Sequence, residues 1–384
     1  MKKRKSNAVV LGLGGANALG VVRSLGYEGI PSIGFHMGER KLDAHRSKYL
    51  GEMHVVTGRD ELLEAMVKYG KMQDEKGVVF PTGDDYISFC SESKKILRPY
   101  FHLPHSSVGD LSDLIEKEDN SKIGENAGFR VPRSLLLRNY NDITGGPVIV
   151  KPLNSVVGGK GDMRMYNSDE ELFRERDGLL ERHGDMLVQD FVPGDNSNLV
   201  EVHAYKSSNG VIIAGMQRNE LGIQANPFVY MGVVFRSVWD EGLVKPSSRL
   251  ADQLDFNGAL DINLKKSDFD GEYYFMEVNL RTSANLSLDT AEGVNLPAII
   301  YHDLRGEDFG SLFPVDGAEV GGAWVHESRI KRFFDQGGIR EDLLDSLKNV
   351  KANAFYDSLD SKPFELNGGF AELDSGLLKK IKAE

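Results

Sequence analysis

Two stretches of the chain carry carboxylates and an amide in a spacing that suits a hard cation. Asp261 lies in Ala259-Leu-Asp-Ile-Asn-Leu264, where Leu260, Ile262 and Leu264 alternate with polar residues. Glu277 and Asn279 lie in Tyr274-Phe-Met-Glu-Val-Asn279, and Arg281 follows at the same two-residue interval. Alternate residues of a strand share a face. Residues 267–271 read as a hairpin turn, and a turn centred on Phe269 sets Asp261 opposite Glu277. Two carboxylates and an amide oxygen on one face suit Mg²⁺, which takes oxygen ligands and completes its shell with water and nucleotide phosphates. Arg281 would then neutralise charge building on a transferred phosphoryl group. A solvated polar strand face would show the same spacing.

A second group is Val148-Ile-Val-Lys151-Pro152, followed by Ser155-Val-Val-Gly158-Gly159-Lys160-Gly161. A lysine on a buried strand needs a partner, because an unpaired ammonium there is costly. The glycine-rich hairpin just after it supplies backbone amides, so phosphate binding by Lys151, Ser155, Gly158, Gly159 and Lys160 accounts for both features. The Gly-Lys-Ser/Thr ending of a Walker loop is missing. The run Leu187-Val-Gln189-Asp190-Phe191-Val192-Pro193-Gly194 reads as a strand entering a turn, where edge backbone groups can read adenine and Asp195 or Asn198 can reach a ribose. Gly12-Leu-Gly14-Gly15-Ala-Asn17-Ala-Leu-Gly20 stands at a strand-to-helix turn. It reads either as a substrate-anion site or as glycines that permit close packing. It departs from the dinucleotide fingerprint, because the third glycine falls six residues after Gly14 and no acidic residue ends the second strand.

These groups need strands and turns to position them. Up to about residue 103, short apolar runs alternate with helical patterns: strands at Ala8–Leu13, Pro31–Phe35, His54–Val56 and Gly77–Phe80, helices near Asn17–Leu25, Arg59–Tyr69 and Tyr86–Lys94. That alternation predicts an open parallel sheet with ligands outside the carboxyl ends of its strands. Residues 104–185 are mixed, with helices at Asp113–Ala127 and Asp169–His183 around the glycine hairpin. Residues 186–310 hold long strands, and 311–384 form an α+β tail with a helix at Arg340–Leu347 and a strand at Val350–Tyr356. Lys2 to Lys5 and Ala16-Asn17-Ala18 imitate a signal peptide, but removing that segment would delete half of a βαβ unit.

Composition narrows the function classes. The 384 residues suggest two or three packed subdomains. A formal charge of −12 argues against nucleic acid as the main partner. The single cysteine, Cys90, cannot close an internal disulfide, which fits a reducing, cytoplasmic setting, and its apolar surroundings read as core. No stretch reaches the length of a membrane span. The nine histidines show no zinc spacing, and there is no G-x-S-x-G elbow.

In this order the groups resemble the ATP-grasp superfamily, and within it carboxylate–amine ligases of the D-aspartate ligase type. The strongest matches are Val150-Lys151-Pro152, Gly158 to Gly161, Val188-Gln-Asp-Phe-Val-Pro-Gly194 and Met276-Glu-Val-Asn-Leu-Arg281. Phe80-Pro-Thr-Gly-Asp-Asp85, the Lys122…Gly128…Pro132 spacing and Ala291-Glu-Gly-Val-Asn-Leu-Pro297 support them. The resemblance implies an N-terminal Rossmann-like domain (1–103), an ATP-grasp subdomain with the glycine loop (104–185), one with the metal site (186–310) and a C-terminal extension (311–384). It implies that Lys122 and Lys151 hold nucleotide phosphates, that Gly158 to Gly161 close over them and that Gln189 and Val192 flank adenine. Asp261, Glu277 and Asn279 would bind two Mg²⁺, and Arg281 would steady the phosphoryl group. Asp190 stands where the family often has Glu, and Leu280 where it often has Pro. The implied reaction joins a small-molecule carboxylate, of an amino acid or peptide, to an amine through an acylphosphate, with ATP consumed and a homodimer allowed. A carboxylate kinase, a peptide ligase and a non-catalytic nucleotide sensor are the alternatives.

Overall fold

A computed structural model gives the fold and describes residues 7–38, 42–107, 111, 117–141, 146–153, 163–226, 229–313, 319–366 and 375–382. The chain is a mixed α/β structure containing three sheets. The first sheet contains β1 (Ala8–Leu11), β2 (Ser32–Met37), β3 (Leu50–Val56), β4 (Gly77–Pro81) and β5 (Phe101–His102), all parallel, in the order β3-β2-β1-β4-β5. All four residues of β1 are fully buried, as expected of a central parallel strand covered on both faces. Cys90 packs in the core beside this sheet, and burial pushes its thiol pKa up. The strand order reverses between β1 and β4, which opens a crevice at their carboxyl ends. Gly12 is required there: it has φ +87°, and a Cβ would lie 2.6 Å from the Tyr86 ring and 2.7 Å from Thr82 Oγ1.

The second sheet is small and antiparallel. Its strands β6 (Ser134–Leu136), β7 (Val148–Pro152), β8 (Arg164–Tyr166) and β9 (Met186–Asp190) run in the order β6-β9-β7-β8. The third contains β10 (Leu199–Ser207), β11 (Gly210–Asn226), β12 (Val229–Val238), β13 (Leu260–Lys266), β14 (Tyr273–Asn279), β15 (Ala323–Val325) and β16 (Val350–Asn353), in the order β14-β13-β10-β11-β12-β15-β16. Neighbours in it are antiparallel except β15 and β16. The tail thus contributes two strands to the sheet that carries Asp261.

One face of this sheet is apolar. Val200, Val202, Leu260, Ile262, Leu264 and Val278 pack against Leu243, Leu250, Ala251 and Leu254 of the helix Glu241–Leu254. That helix carries Pro246 and Gly242, which hide it in the sequence. Its buried residues nevertheless recur at helical spacing, and Asp240 caps it by accepting from Gly242 N at 2.9 Å. The tail also locks onto the first sheet: buried Arg23 donates Nε to Asp360 Oδ2 at 3.0 Å and Nη2 to Phe355 O at 2.7 Å. Among the described residues, no helix is long and apolar enough to cross a membrane.

Candidate active site

Because the core claims alternate residues of β10, β13 and β14, the residues between them face the other way. Register places them in two rows: Glu201, Asn263 and Glu277 form one, and His203, Asp261 and Asn279 the next. Asp261 therefore stands opposite Asn279, not opposite Glu277 as a regular hairpin centred on Phe269 requires. Asn263 pairs with Glu277 while Leu264 pairs with Phe275, so Met276 is an extra residue. That bulge shifts the register. The shared face of Asp261, Glu277 and Asn279 survives the shift.

Asp261 is 4% exposed. Its Oδ1 accepts from Asn263 Nδ2 at 2.8 Å and its Oδ2 from Asn279 Nδ2 at 3.1 Å. Burial, then the charge of Glu201 and more weakly that of Glu277, push its pKa up to about 7 against the pull of His203 and Arg281. Sequence reasoning missed Glu201 and His203, although Leu199-Val-Glu-Val-His-Ala-Tyr205 shows the alternation that would have placed both on this face. Glu201 Oε2 accepts from Ser283 Oγ at 3.0 Å and Asn285 Nδ2 at 2.9 Å. His203 Nδ1 lies 2.5 Å from Asp289 Oδ2, and its Nε2 lies 3.6 Å from Glu201 Oε2. Gly215, opposite His203 on β11, makes room for this contact, since a Cβ there would lie 2.0 Å from Asp289 Oδ1.

Ligand atoms of Glu201, His203 and Asp261 all lie within 4.8 Å of one another. Burial works against a charged His203, but Asp289, Glu201 and Asp261 outweigh it and hold its pKa well above the ordinary value. The carboxylate and amide oxygens of this face are the hard donors that suit Mg²⁺.

Arg281 joins this face to the first sheet. Its Nε donates to Asp84 Oδ1 at 2.9 Å, its Nη2 donates to Asn279 Oδ1 at 3.3 Å, and its Nη1 lies 4.0 Å from Asp261 Oδ2. Asn17 Nδ2 donates to Thr82 O at 3.0 Å and to Thr282 O at 2.7 Å, and Thr282 Oγ1 donates back to Asn17 Oδ1 at 2.5 Å. The loops after β1, β4 and β14 therefore meet at the crevice. The glycine loop itself is largely self-satisfied. Gly12 N donates to Phe35 O at 2.8 Å, Leu13 N to His36 Nδ1 at 3.0 Å and Gly15 N to Asp43 Oδ2 at 2.6 Å. The anion at the start of the helix Gly15–Tyr27 is the chain's own Asp43 carboxylate, and close packing accounts for Gly12.

On the small sheet, Lys151 of β7 is 7% exposed and donates Nζ to Gln189 Oε1 at 3.0 Å. Gln189 Nε2 donates to Ser134 Oγ at 2.9 Å. Val192 is buried just after β9, and Asp190 pairs with Arg133 at 3.4 Å. Asp195 accepts from Ser197 N at 2.7 Å, and Asn198 donates to Lys266 O and Asp268 Oδ1, each at 2.8 Å. These bonds tie the turn after β9 to the end of β13. Lys122 is exposed on the helix Lys117–Ala127. Ser155, Gly158, Gly159 and Lys160 lie outside the described residues.

The biotin carboxylase domain of Hydrogenobacter thermophilus 2-oxoglutarate carboxylase, solved as a dimer with MgADP, ADP and bicarbonate, has a similar fold. The TM-score is 0.63 at 16% identity, covering 83% of this chain and 74% of that one. L-amino acid ligase from Bacillus licheniformis matches with a TM-score of 0.59 at 15% identity, covering 82% of this chain and 79% of that one. The fold is ATP-grasp. In sequence this chain is similar to D-aspartate ligase of Enterococcus faecium (strain Aus0004), with 25% identity over 278 residues. The match spans 65% of this chain and 66% of that protein's length. No family model matches the chain.

Proposed function

We propose that this chain is a magnesium- and ATP-dependent ligase that activates a small-molecule carboxylate as an acylphosphate and joins it to an amine, releasing ADP and phosphate. One observation carries the reading. Glu201, Asp261 and Glu277 crowd one sheet face, with Asp261 pushed to about 7, and Arg281 links that face to the crevice of the first sheet. Such crowding is costly unless a cation relieves it, and the oxygen donor set fits Mg²⁺. Asp261, Glu277 and the amide oxygen of Asn279 would hold Mg²⁺, which would supply positive charge beside the terminal phosphates of the nucleotide.

The remaining roles belong to the chain's own groups. Lys151 and Lys122, with the loop of Ser155, Gly158, Gly159 and Lys160, would hold phosphates. Gln189, Asp190 and Val192 would take the adenine end, with Asp195 and Asn198 toward the ribose. Arg281, already aimed between Asp261 and Asp84, would steady the phosphoryl group as the carboxylate oxygen attacks it. The amine would then attack the acyl carbon, and phosphate would leave carrying that oxygen. The four-part division at about residues 103, 185 and 310, a cytoplasmic location and a homodimer belong to the same proposal. The similarity to D-aspartate ligase and the dimer of the carboxylase domain support it.

Isotope transfer tests the reaction. With an ¹⁸O-labelled carboxylate substrate, label should reach inorganic phosphate while ADP and amide accumulate together, and chelator should abolish turnover. Label in AMP, or release of pyrophosphate, would refute the acylphosphate route. ADP formation without need of an amine would favour a carboxylate kinase.

A further inference from the structure

Beside the proposed magnesium residues, the large sheet holds a histidine whose two ring nitrogens are used unequally. His203 of β10 is 1% exposed. Its Nδ1 lies 2.5 Å from Oδ2 of Asp289, a buried residue of the helix Leu286–Ala291. Asp289 is held in turn, since its Oδ1 accepts from Gln217 Nε2 at 2.8 Å. His203 Nε2, by contrast, is buried with no hydrogen-bond partner among the described residues. Buried polar atoms without partners are rare, and each calls for an explanation.

A hydrogen bond to Glu201 does not supply one. Glu201 Oε2 lies 3.6 Å from His203 Nε2, which is too far, and that oxygen accepts instead from Ser283 Oγ at 3.0 Å and Asn285 Nδ2 at 2.9 Å. The same separation suits two ligands of one ion: bonds of about 2.1 Å meeting at a tetrahedral angle set their ends roughly 3.4 Å apart. A nitrogen of His203 and an oxygen from each of Glu201 and Asp261 all lie within 4.8 Å of one another. Because Asp289 occupies Nδ1, Nε2 is the nitrogen left for an ion. A carboxylate on one nitrogen of a histidine fixes the ring so that the other can ligate, and hydrogen bonds to neighbouring carboxylates fix those ligands too. Asp289 does the first here, and Ser283, Asn285 and Asn263 do the second. Glu201 is the least buried of the three residues, which leaves an ion a way in.

We propose that Glu201, His203 and Asp261 form a site for a transition-metal dication of the Zn²⁺ or Mn²⁺ kind, separate from the magnesium that accompanies a nucleotide. One imidazole and two carboxylates suit such ions, whereas Mg²⁺ favours oxygen ligands and keeps several waters. Glu201 and His203 belong to this site alone, and Asp261 borders both. Without an ion the neighbouring carboxylates favour a proton on His203; an entering ion takes its place, and the proton leaves to solvent. The ion ties β10 to β13 and, through Asp289, to the helix Leu286–Ala291. This inference goes beyond the ligase reading and does not need it, because it calls for a bound ion in the protein without nucleotide.

Mn²⁺ is the first probe, because pulsed electron paramagnetic resonance reports a bound imidazole as nitrogen coupling to the ion. The full chain, stripped with chelator and free of nucleotide, should bind Mn²⁺ in the presence of excess Mg²⁺ and show that coupling. The coupling should vanish in His203→Gln, with a melting curve reporting that the variant is folded. Asp289→Asn keeps all three ligands and should weaken Mn²⁺ binding at least about tenfold, while the coupling persists at saturation. Anomalous scattering from crystals of the unmodified protein soaked in Zn²⁺ should place an ion against His203 Nε2, a result that does not depend on either variant folding. Mn²⁺ bound without nitrogen coupling would overturn the site, and so would coupling that survives in a folded His203→Gln. An anomalous peak only elsewhere, or failure of both ions to bind the nucleotide-free protein, would overturn it equally.

Discussion

Replacing Asp261 by asparagine should make the metal-free protein more stable while abolishing its activity. In the fold this carboxyl titrates near 7 instead of 3.8, chiefly because it is buried and faces Glu201. A shift of that size corresponds to about 4 kcal/mol against the charged form. The sign follows from the direction. Below 3.8 the folded and unfolded chains are both protonated and the group contributes nothing. Between 3.8 and about 7 the unfolded chain has lost its proton while the folded one keeps it, so stability falls as pH rises. Above that range the whole penalty is present. Asparagine carries no charge at any pH and keeps the shape. Of the two hydrogen bonds accepted from Asn263 and Asn279 it retains one, a loss of about 1 kcal/mol. The net expectation at pH 8 is a gain of roughly 3 kcal/mol, which is several degrees in Tm. At pH 4 a small loss should remain. Thermal melts in chelator at pH 4, 6 and 8 measure this. Added Mg²⁺ should raise the Tm of the unmodified protein and leave the variant's where it is, and turnover should fall at least about a hundredfold. A variant that melts below the unmodified protein at pH 8, or a difference that does not change with pH, would show that Asp261 is not held against like charge.

Lys151→Met should weaken ATP binding at least about tenfold, since it removes a buried ammonium on the strand before the glycine loop; unchanged affinity in a folded variant would take Lys151 out of the nucleotide site. Asp360→Asn removes the charge that buried Arg23 faces at 3.0 Å and should cost about 3–5 kcal/mol, read as a lowered Tm; an unaltered melt would show that the tail does not depend on this pair. Glu327 is pushed to about 7 by burial, against the amides of Tyr356 and Phe355 and the charge of Arg23. The unmodified protein should therefore lose stability as pH rises from about 4.5 to 7, and in Glu327→Gln that part of the slope should disappear. Parallel melting curves for the two proteins across that range would refute the assignment.

The face shared by Asp261, Glu277 and Asn279 was readable because Leu260, Ile262, Leu264 and Val278 are apolar at alternate positions, and a period of two dictates which residues turn away from the core. The parallel first sheet was readable for a related reason: β1 is apolar throughout, and glycine ends it. The strand Val350–Tyr356 was expected, but not that β15 and β16 would extend the sheet carrying Asp261. The helix Glu241–Leu254 was hidden by Pro246, whose effect on local propensity is outweighed by burial of Leu243, Leu250 and Leu254.

Local periodicity determined which side chains could share a face. Only tertiary structure decided which of them meet. Asp261 faces Asn279 because one extra residue in β14 shifts a register that turn chemistry alone does not set. Glu201 and His203 reach Asp261 because β10 pairs with β13, far along the chain. Asp289 reaches His203 only because Gly215 lacks a side chain, and Arg281 finds Asp84 across 197 residues of sequence. Such contacts depend on how whole sheets pack. That packing sums many small burial energies over the entire chain, so no single segment encodes it.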